Sequence, residues 1–552
     1  MLWPLCVFVL CRVVDAAASA PGVKPNIVII LADDLGFNDV GFHGSNQIPT
    51  PNIDALAYSG LVLHNYYVTP ICTPSRAALM TGKYPIHLGM QHGVIYGAEP
   101  RGLPLSEKIM PQYFKDLGYK THLVGKWHLG HYKKEYLPMN RGFDSHLGFW
   151  TGKIDMYDHT NMEKGMWGSD FRRGIELAHD LFGEYATDVY SKEAVKIIKA
   201  HNKTSPLFLM VSHSAVHSGN PSEYLRAPDY LINNFSYIED LQRRKFAAIL
   251  TKLDESVGKV VQALQKRGML ANSIILFSTD NGGAAGGFNN NSASNYPLKG
   301  VKNTLWEGGV RGAGLLWSPL LHNRSRVHTE KLHITDWLPT LHYIAGGNNS
   351  VFKNLDGMNL WESLTDRDGD SNRRTIVHNI DDIWHSAAIT IEKWKVIIGT
   401  NYGGAWDGWY GPDDTRKGNY SYDLVRSSNT GVAIAELTNM PSEKEMAHIR
   451  EMATVICDEI LPIIPCSPLE GPCLYDLNDD PCERQDLSRH LPDVLQKLLV
   501  EFDKVNKTVI PPNNKPLEPD ANPKYWGQIF VNYGDYMDLK RPNDLCPIHK
   551  LL

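Results

Sequence analysis

In Asn26-Ile27-Val28-Ile29-Ile30-Leu31-Ala32 the six residues after Asn26 form an unbroken apolar run, largely β-branched, that stops at two acids, Asp33-Asp34. A strand with one wet face alternates apolar and polar residues. A run without alternation belongs to a strand covered on both faces, as in a parallel sheet. A second such run, Ile274-Ile275-Leu276-Phe277-Ser278-Thr279, stops at Asp280-Asn281-Gly282-Gly283, and a third, residues 206–211, leads to His213 and His217. Helical patterns, such as residues 241–266, lie between them. Strands alternating with helices predict an α/β domain with a mostly parallel central sheet. Ligands of open α/β sheets bind beyond the carboxyl ends of strands, so these three strand ends are expected to converge on one site. After about residue 375 the pattern changes. Residues 387–399 alternate as antiparallel strands do, and a Gly/Asp/Trp-rich stretch, late cysteines and a Pro-rich tail follow. The expected division is a leader over 1–20, a large α/β domain over 21–375, and over 376–552 a smaller C-terminal α+β domain with an antiparallel sheet and an irregular tail.

The chain has 552 residues, 43% hydrophobic and 21% charged, which indicates neither disorder nor a fibrous repeat. A formal charge of −6 argues against a general nucleic-acid binder. Full protonation of the 22 histidines would carry that charge to +16, which hints at an acidic compartment and a polyanionic substrate. Residues 5–10 are apolar, and Ala18-Ser19-Ala20 offers a small-x-small cleavage site before Pro21, the pattern of a secretory signal. The apolar stretch is too short to span a bilayer, and no later segment is long and apolar enough. Seven Asn-x-Ser/Thr sequons, at Asn202, Asn234, Asn290, Asn323, Asn348, Asn419 and Asn506, agree with the secretory pathway, lysosomal or extracellular. With the leader removed, Cys72 stands alone before a late group of Cys457, Cys466, Cys473, Cys482 and Cys546. Five late cysteines allow at most two disulfides among themselves. Cys473 and Cys482, which bracket Asn478-Asp479-Asp480-Pro481, are the expected pair. The close Cys-x-x-Cys spacing of a zinc site is absent.

Asp33, Asp34, Asp280 and Asn281 offer only hard oxygen ligands, which suit Ca²⁺ or Mg²⁺. One Asp at a strand end commonly caps a helix; two acidic doublets, each ending a buried-type strand, favour a metal. Lys126 and His128 stand two apart, so an extended segment would aim both at one oxyanion. Residues 282–287 are Gly-rich but lack the spacing of a nucleotide loop. Lys299 and Lys302 follow, near the same strand end. Cys72 opens Cys72-Thr73-Pro74-Ser75-Arg76, before a small apolar stretch that predicts a helix. A reactive group at a helix start faces unpaired N–H groups and suits an anionic substrate.

The run from Pro70 to Gly82 resembles the sulfatase signature, and Gly118 to His128 resembles a second one. With Arg141-Gly142-Phe143-Asp144, residues 277–283, 305–312 and 334–340, and His378-Asn379-Ile380-Asp381, residues 24–388 resemble a type I sulfatase. They are most similar to the arylsulfatase B group (N-acetylgalactosamine-4-sulfatase, with arylsulfatases I and J as siblings). The resemblance implies an alkaline-phosphatase-like fold and a formylglycine (3-oxoalanine) made from Cys72 by the formylglycine-generating enzyme. It also implies one Ca²⁺ held by Asp33, Asp34, Asp280, Asn281 and modified Cys72, with Arg76, Lys126, His128, His217 and Lys302 on the sulfate. His217 matches the family histidine better than His213, and Lys302 better than Lys299. The implied reaction is attack on sulfur by the hydrated aldehyde, favoured by Ca²⁺ and Arg76. Lys126 and Lys302 neutralise the sulfuryl oxygens, His217 (with Lys302) protonates the departing sugar oxygen, and His128 deprotonates the second hydroxyl to expel sulfate. The implied substrate is a sulfated sugar, in particular N-acetylgalactosamine 4-sulfate of dermatan or chondroitin sulfate. Family members carry several cysteines in the large domain, whereas this one has only Cys72, which implies a different disulfide scaffold. Two rivals stand beside this reading. A phosphatase or phosphodiesterase of the same superfamily would often place Asp-His where this chain has Asp280-Asn281. A non-catalytic glycosaminoglycan-binding protein would not need the site residues intact.

Overall fold

The computed structural model describes residues 24–366, 371–457, 460 and 462–537. The leader over 1–20 and Cys546 lie outside the described residues. In chain order the strands are β1 (Asn26–Ala32), β2 (Leu61–Tyr67), β3 (Lys120–Lys126), β4 (Ser145–Phe149), β5 (Thr160–Glu163), β6 (Met166–Ser169), β7 (Phe171–Arg173) and β8 (Glu176–Leu177). They continue with β9 (Leu207–Ser212), β10 (Ser273–Thr279), β11 (Gly314–Trp317), β12 (Arg326–His333), β13 (Thr375–Asp381), β14 (Ser386–Ile391), β15 (Trp394–Ile398) and β16 (Cys473–Asp476). Ten of them form one sheet in the order β12-β2-β11-β10-β1-β9-β3-β4-β7-β8. Its central block, β10-β1-β9-β3-β4, is parallel throughout, while β11 and β7 run antiparallel to the strands they flank.

β1 shows why its sequence has no alternation. Val28, Ile30 and Ala32 enter one core with the helices Pro51–Ser59, Ala186–Ala200 and Leu241–Lys266; Ile27, Ile29 and Leu31 enter another with Cys72–Thr81 and Trp337–Ile344. Both faces are covered, so every position from Ile27 to Ala32 is apolar. Each such fully buried side chain contributes about 1.5–3 kcal/mol of transfer free energy. The helix Leu241–Lys266 starts where Asp240 accepts a hydrogen bond from the Arg243 amide, an N-cap that removes one orphan donor.

A second, antiparallel sheet, β13-β14-β15-β16, lies beside the first, and the helix Pro492–Asn506 packs on it through Leu498. A joint cluster of Tyr67, Trp306 and Val310 with Ile376, Ala388, Ile397 and Tyr475 fills the seam between the two sheets. The short helices between Tyr422 and Ala453 lie instead against the first core of the large sheet, through Val425, Ile434, Met446 and Ile449.

Two expectations are corrected. The disulfides are Cys457–Cys482 and Cys466–Cys473, not Cys473–Cys482. Beyond the turn, Leu474 is met by Asp486 and Leu487, so Cys482 sits in the turn itself and not opposite Cys473. The histidine reserve is also smaller than composition suggests. Burial holds His131 and His213 down to about 3 and His146 and His328 to about 4, and it pushes His43, His333 and His378 well below the ordinary value. These rings stay neutral in mild acid, so the protein does not approach +16. No described helix is long and apolar enough to cross a membrane.

Candidate active site

The four parallel strands β1, β10, β9 and β3 end side by side, and their continuations build the site. β1 delivers Asp33 and Asp34. β10 ends in register with it and delivers Asp280 and Asn281, whose chain is tied back by the Asp280 amide donating to the Ala32 carbonyl (3.1 Å). β9 leads into His213 and His217, and β3 ends at Lys126. Asp34 (φ 62°) and His128 (φ 59°) adopt the left-handed conformation that non-glycine residues rarely take, which local structure must hold in place. The segment through His128 is therefore not an extended continuation of β3. Lys126 and His128 both reach the site, but through a left-handed turn and not through strand alternation.

Cys72 is the first residue of the helix Cys72–Thr81 and is buried. Its Sγ lies 3.6 Å from Asp33 Oδ1 and 4.0 Å from Asp34 Oδ1. Burial pushes its thiol up to about 12, so the unmodified side chain is a poor thiolate nucleophile. One turn on, Arg76 aims at the same place. Its Nε and Nη2 donate to Asp280 Oδ2 (3.0 and 2.8 Å), and its Nη1 donates to Ser212 Oγ (2.6 Å). Lys126 Nζ donates to Asp33 Oδ2 (2.6 Å), and Lys302 Nζ lies 2.6 Å from Asp34 Oδ1 and 2.7 Å from Oδ2. His217 Nδ1 faces the Ser218 carbonyl (2.5 Å), and its Nε2 lies 3.2 Å from the Asn289 amide and 3.5 Å from Asp34 Oδ2. His128 Nε2 faces the Ile95 carbonyl (3.1 Å) and its Nδ1 has no partner. All ten residues singled out in the sequence thus meet in one buried cluster.

The alternatives fall elsewhere. His213 turns to Ser256 of the helix Leu241–Lys266 (3.2 Å), and the Lys299 ammonium lies 3.6 Å over the Trp306 ring. Ser212, Asn289 and Lys153 are contributors the sequence reading passed over. Ser212 and Lys153 follow or end sheet strands, a signal that could have found them. Asn289 sits in a Gly/Asn-rich loop with no pattern to mark it.

The donor set fits a hard divalent cation. Ligand atoms of Asp33, Asp34, Cys72 and His217 lie within 4.8 Å of one another. Asn281 Nδ2 donates to Asp34 Oδ1 (2.8 Å), which leaves Asn281 Oδ1 buried with no partner. An orphaned carbonyl oxygen amid three carboxylates is the acceptor arrangement that a cation satisfies. Burial raises Asp34 and, with repulsion from Asp33, lifts Asp280 to about 6, so the carboxylates resist full ionisation without more positive charge. Three carboxylates face three cations, Arg76, Lys126 and Lys302. A divalent ion would leave an excess of two positive charges for an anionic substrate. Beside the cluster lies a cavity of about 240 Å³ lined by Cys72, His128, Lys153, Glu163, His217 and Asn289, among others.

The sulfatase family model matches residues 25–347. The chain belongs to the sulfatase family. It is 38% identical to arylsulfatase J of Mus musculus over 93% of this chain and 81% of that protein. It is 31% identical to N-acetylgalactosamine-6-sulfatase of Homo sapiens over 63% of this chain and 67% of that protein. Among solved structures it resembles Ps i-CgsB in complex with k-i-k-neocarrahexaose, with a TM-score of 0.69 and 27% identity, covering 90% of this chain and 96% of that one. This sulfatase is a sulfuric ester hydrolase, and its relatives support action on sulfated sugars.

Proposed function

We propose that the protein removes sulfate from N-acetylgalactosamine 4-sulfate of dermatan or chondroitin sulfate, in the secretory pathway, as a lysosomal or secreted enzyme. In this reading Cys72 is converted to formylglycine by the formylglycine-generating enzyme, and Asp33, Asp34, Asp280, Asn281 and residue 72 hold one Ca²⁺. Formylglycine would supply a hydrated aldehyde as nucleophile, with a second hydroxyl to permit release of sulfate, and Ca²⁺ would supply charge stabilisation.

The remaining roles belong to side chains. Lys126 and Lys302, both fully buried, are pre-placed to neutralise charge that builds on the sulfuryl oxygens, where fixed cations out of water act most strongly. Arg76 is locked by Asp280 and Ser212 and orients the nucleophile at the helix start. Burial, then Lys302 and Lys126, hold His217 well below its ordinary value. A bound sulfate ester opposes those two lysines, so the proton affinity of His217 rises when substrate arrives, as a general acid for the sugar oxygen requires. His128, buried and held neutral, can accept a proton at Nδ1, its one unpartnered nitrogen.

The observation that carries the reading is the partnerless Asn281 Oδ1 beside carboxylates that already face Cys72. The test is mass analysis of the peptide containing residue 72 from protein made in a secretory host. A thiol-to-aldehyde mass change is expected, and a plain cysteine in active enzyme would refute the nucleophile. Matched sulfate and phosphate esters separate this reading from a phosphatase.

A further inference from the structure

The reaction cavity carries two more cations than the sulfate-facing cluster uses. Lys153 lies just beyond the end of β4, after Gly152, whose bare backbone packs on His128; a Cβ at Gly152 would stand 2.8 Å from the imidazole. The Trp150 and Thr151 amides donate to Asp170 Oδ2 (2.9 and 2.7 Å) and fix this loop. Lys153 is half-buried and lines the cavity, yet among the described residues its ammonium has no hydrogen-bond acceptor and no carboxylate at ion-pair distance. Burial lowers its pKa, and Glu163 offsets this from farther away. Glu163, the one acid lining the cavity, is already engaged by the Gly97 amide. A partly desolvated ammonium without a partner is unfavourable on its own, and a ligand anion at that spot would complete it.

Lys164 is the second cation. It forms the tip of the β5–β6 hairpin with Gly165, both left-handed (φ 48° and 75°), as a two-residue hairpin turn requires. Its ammonium lies 4.6 Å from the centre of the Tyr96 ring, which lines the same cavity. The hairpin is braced. Asn220 Oδ1 accepts from the Met162 amide (2.8 Å), and the Ser169 amide donates to the Gln528 carbonyl (2.8 Å). Met162 lines the cavity and pairs across the hairpin with Trp167, so the 45% exposed indole of Trp167 shares that face. An exposed aromatic ring beside fixed cations is a platform for an acidic sugar.

We infer that Lys153 and Lys164 form a second anion subsite, which binds a carboxylate or sulfate on the sugar next to the one being desulfated, with Trp167 alongside its ring. The inference rests on the reading that this site cleaves sulfated sugars, and it adds which side chains of this chain read a second anionic group on the substrate. The test uses the full, matured enzyme with 4-nitrophenyl sulfate and three sulfated disaccharides: one with a uronate, one with a second sulfate, one with neither. In Lys153→Met, kcat/KM for a two-anion disaccharide relative to 4-nitrophenyl sulfate falls about ten-fold through KM, the size of one charge-assisted contact. Lys153→Arg restores most of the loss, and Lys164→Met gives a smaller loss of the same kind. Whichever two-anion disaccharide loses most identifies the anion as carboxylate or sulfate. The inference is overturned if the ratio stays within about two-fold in both Lys→Met variants, or if the disaccharide with neither anion loses as much. Should Lys153→Met not fold, exposed Lys164 carries the test. Failure of the wild type to turn over 4-nitrophenyl sulfate and all three disaccharides would instead refute the underlying reading of the site.

Discussion

Two of the buried charge clusters among the described residues are built to opposite ends. At the seam between the sheets, Lys395 on β15 bridges Glu307 (2.9 Å) and Glu483 (2.8 Å), all three side chains out of solvent. Tyr67 on β2 donates to Glu307 Oε2 (3.1 Å), and the Glu307 amide donates to Glu483 Oε2 (2.8 Å). Burial alone would lower Lys395, but the two glutamates outweigh it and raise its pKa. The active-site cluster has equally buried carboxylates and cations, but it leaves Asn281 Oδ1 unpartnered and borders a cavity. The first cluster ties two sheets together through short contacts. The second keeps charge poised for something that arrives. Burial of charge therefore does not mark function here; an orphaned acceptor that also stands beside a cavity does.

Replacing Cys72 with Ala is expected to remove at least about a thousand-fold in kcat while leaving the melting temperature near wild type, because it deletes the proposed nucleophile and little packing. A variant retaining even a tenth of wild-type turnover would break the assignment; aryl sulfate kinetics with parallel thermal melts decides. Lys395→Met should do the reverse. It strands two buried glutamates, so a loss of about 3–5 kcal/mol in stability is expected with activity per folded molecule retained. Denaturant unfolding that shows less than about 1 kcal/mol would mean the seam cluster is not a structural tie.

Chelation sharpens the contrast further. Stripping Ca²⁺ should lower stability by about 2.7 kcal/mol relative to protein held at a hundred-fold excess over Kd. Returning Ca²⁺ should recover both melting temperature and turnover, whereas it should not recover the Lys395→Met deficit. Identical melts with and without chelator would count against the metal site.

The smallest effect concerns a buried imidazole that has no carboxylate partner among the described residues. His131 stacks on Trp150 and is held at about 3 by burial, with Arg172 adding to the effect. Its folded pKa lies below the unfolded value near 6.5, so between pH 6.5 and 3 the unfolded chain takes up a proton that the folded one refuses. Its contribution to stability therefore drops on acidification, by at most about 1.4 kcal/mol per pH unit. His131→Phe should flatten the fall in melting temperature between pH 6.5 and 5. An unchanged slope would show that His131 is protonated in the fold.

Much of the site was legible because its signals are local. Asp33-Asp34 and Asp280-Asn281 end apolar runs, and Cys72 and Arg76 are one helical turn apart. Other features were not local. Lys153 and Asn289 matter only because a loop after β4 and an Asn-rich loop fold over His128 and His217. The cysteine pairing depended on which residues face Cys473 across the turn, not on how near Cys482 is in sequence. The histidines were counted as a charge reserve, yet composition cannot say which rings are dry.

The sequence by itself determined the strands, the carboxyl ends at which they deliver acids, and the residue types fit for a hard cation and a sulfate ester, because strand burial and side-chain chemistry are written position by position. Only the tertiary structure decided which charges are already paired and which face a cavity. Pairing and solvation depend on neighbours hundreds of residues away, such as Lys302 on Asp34 and Lys395 on Glu307.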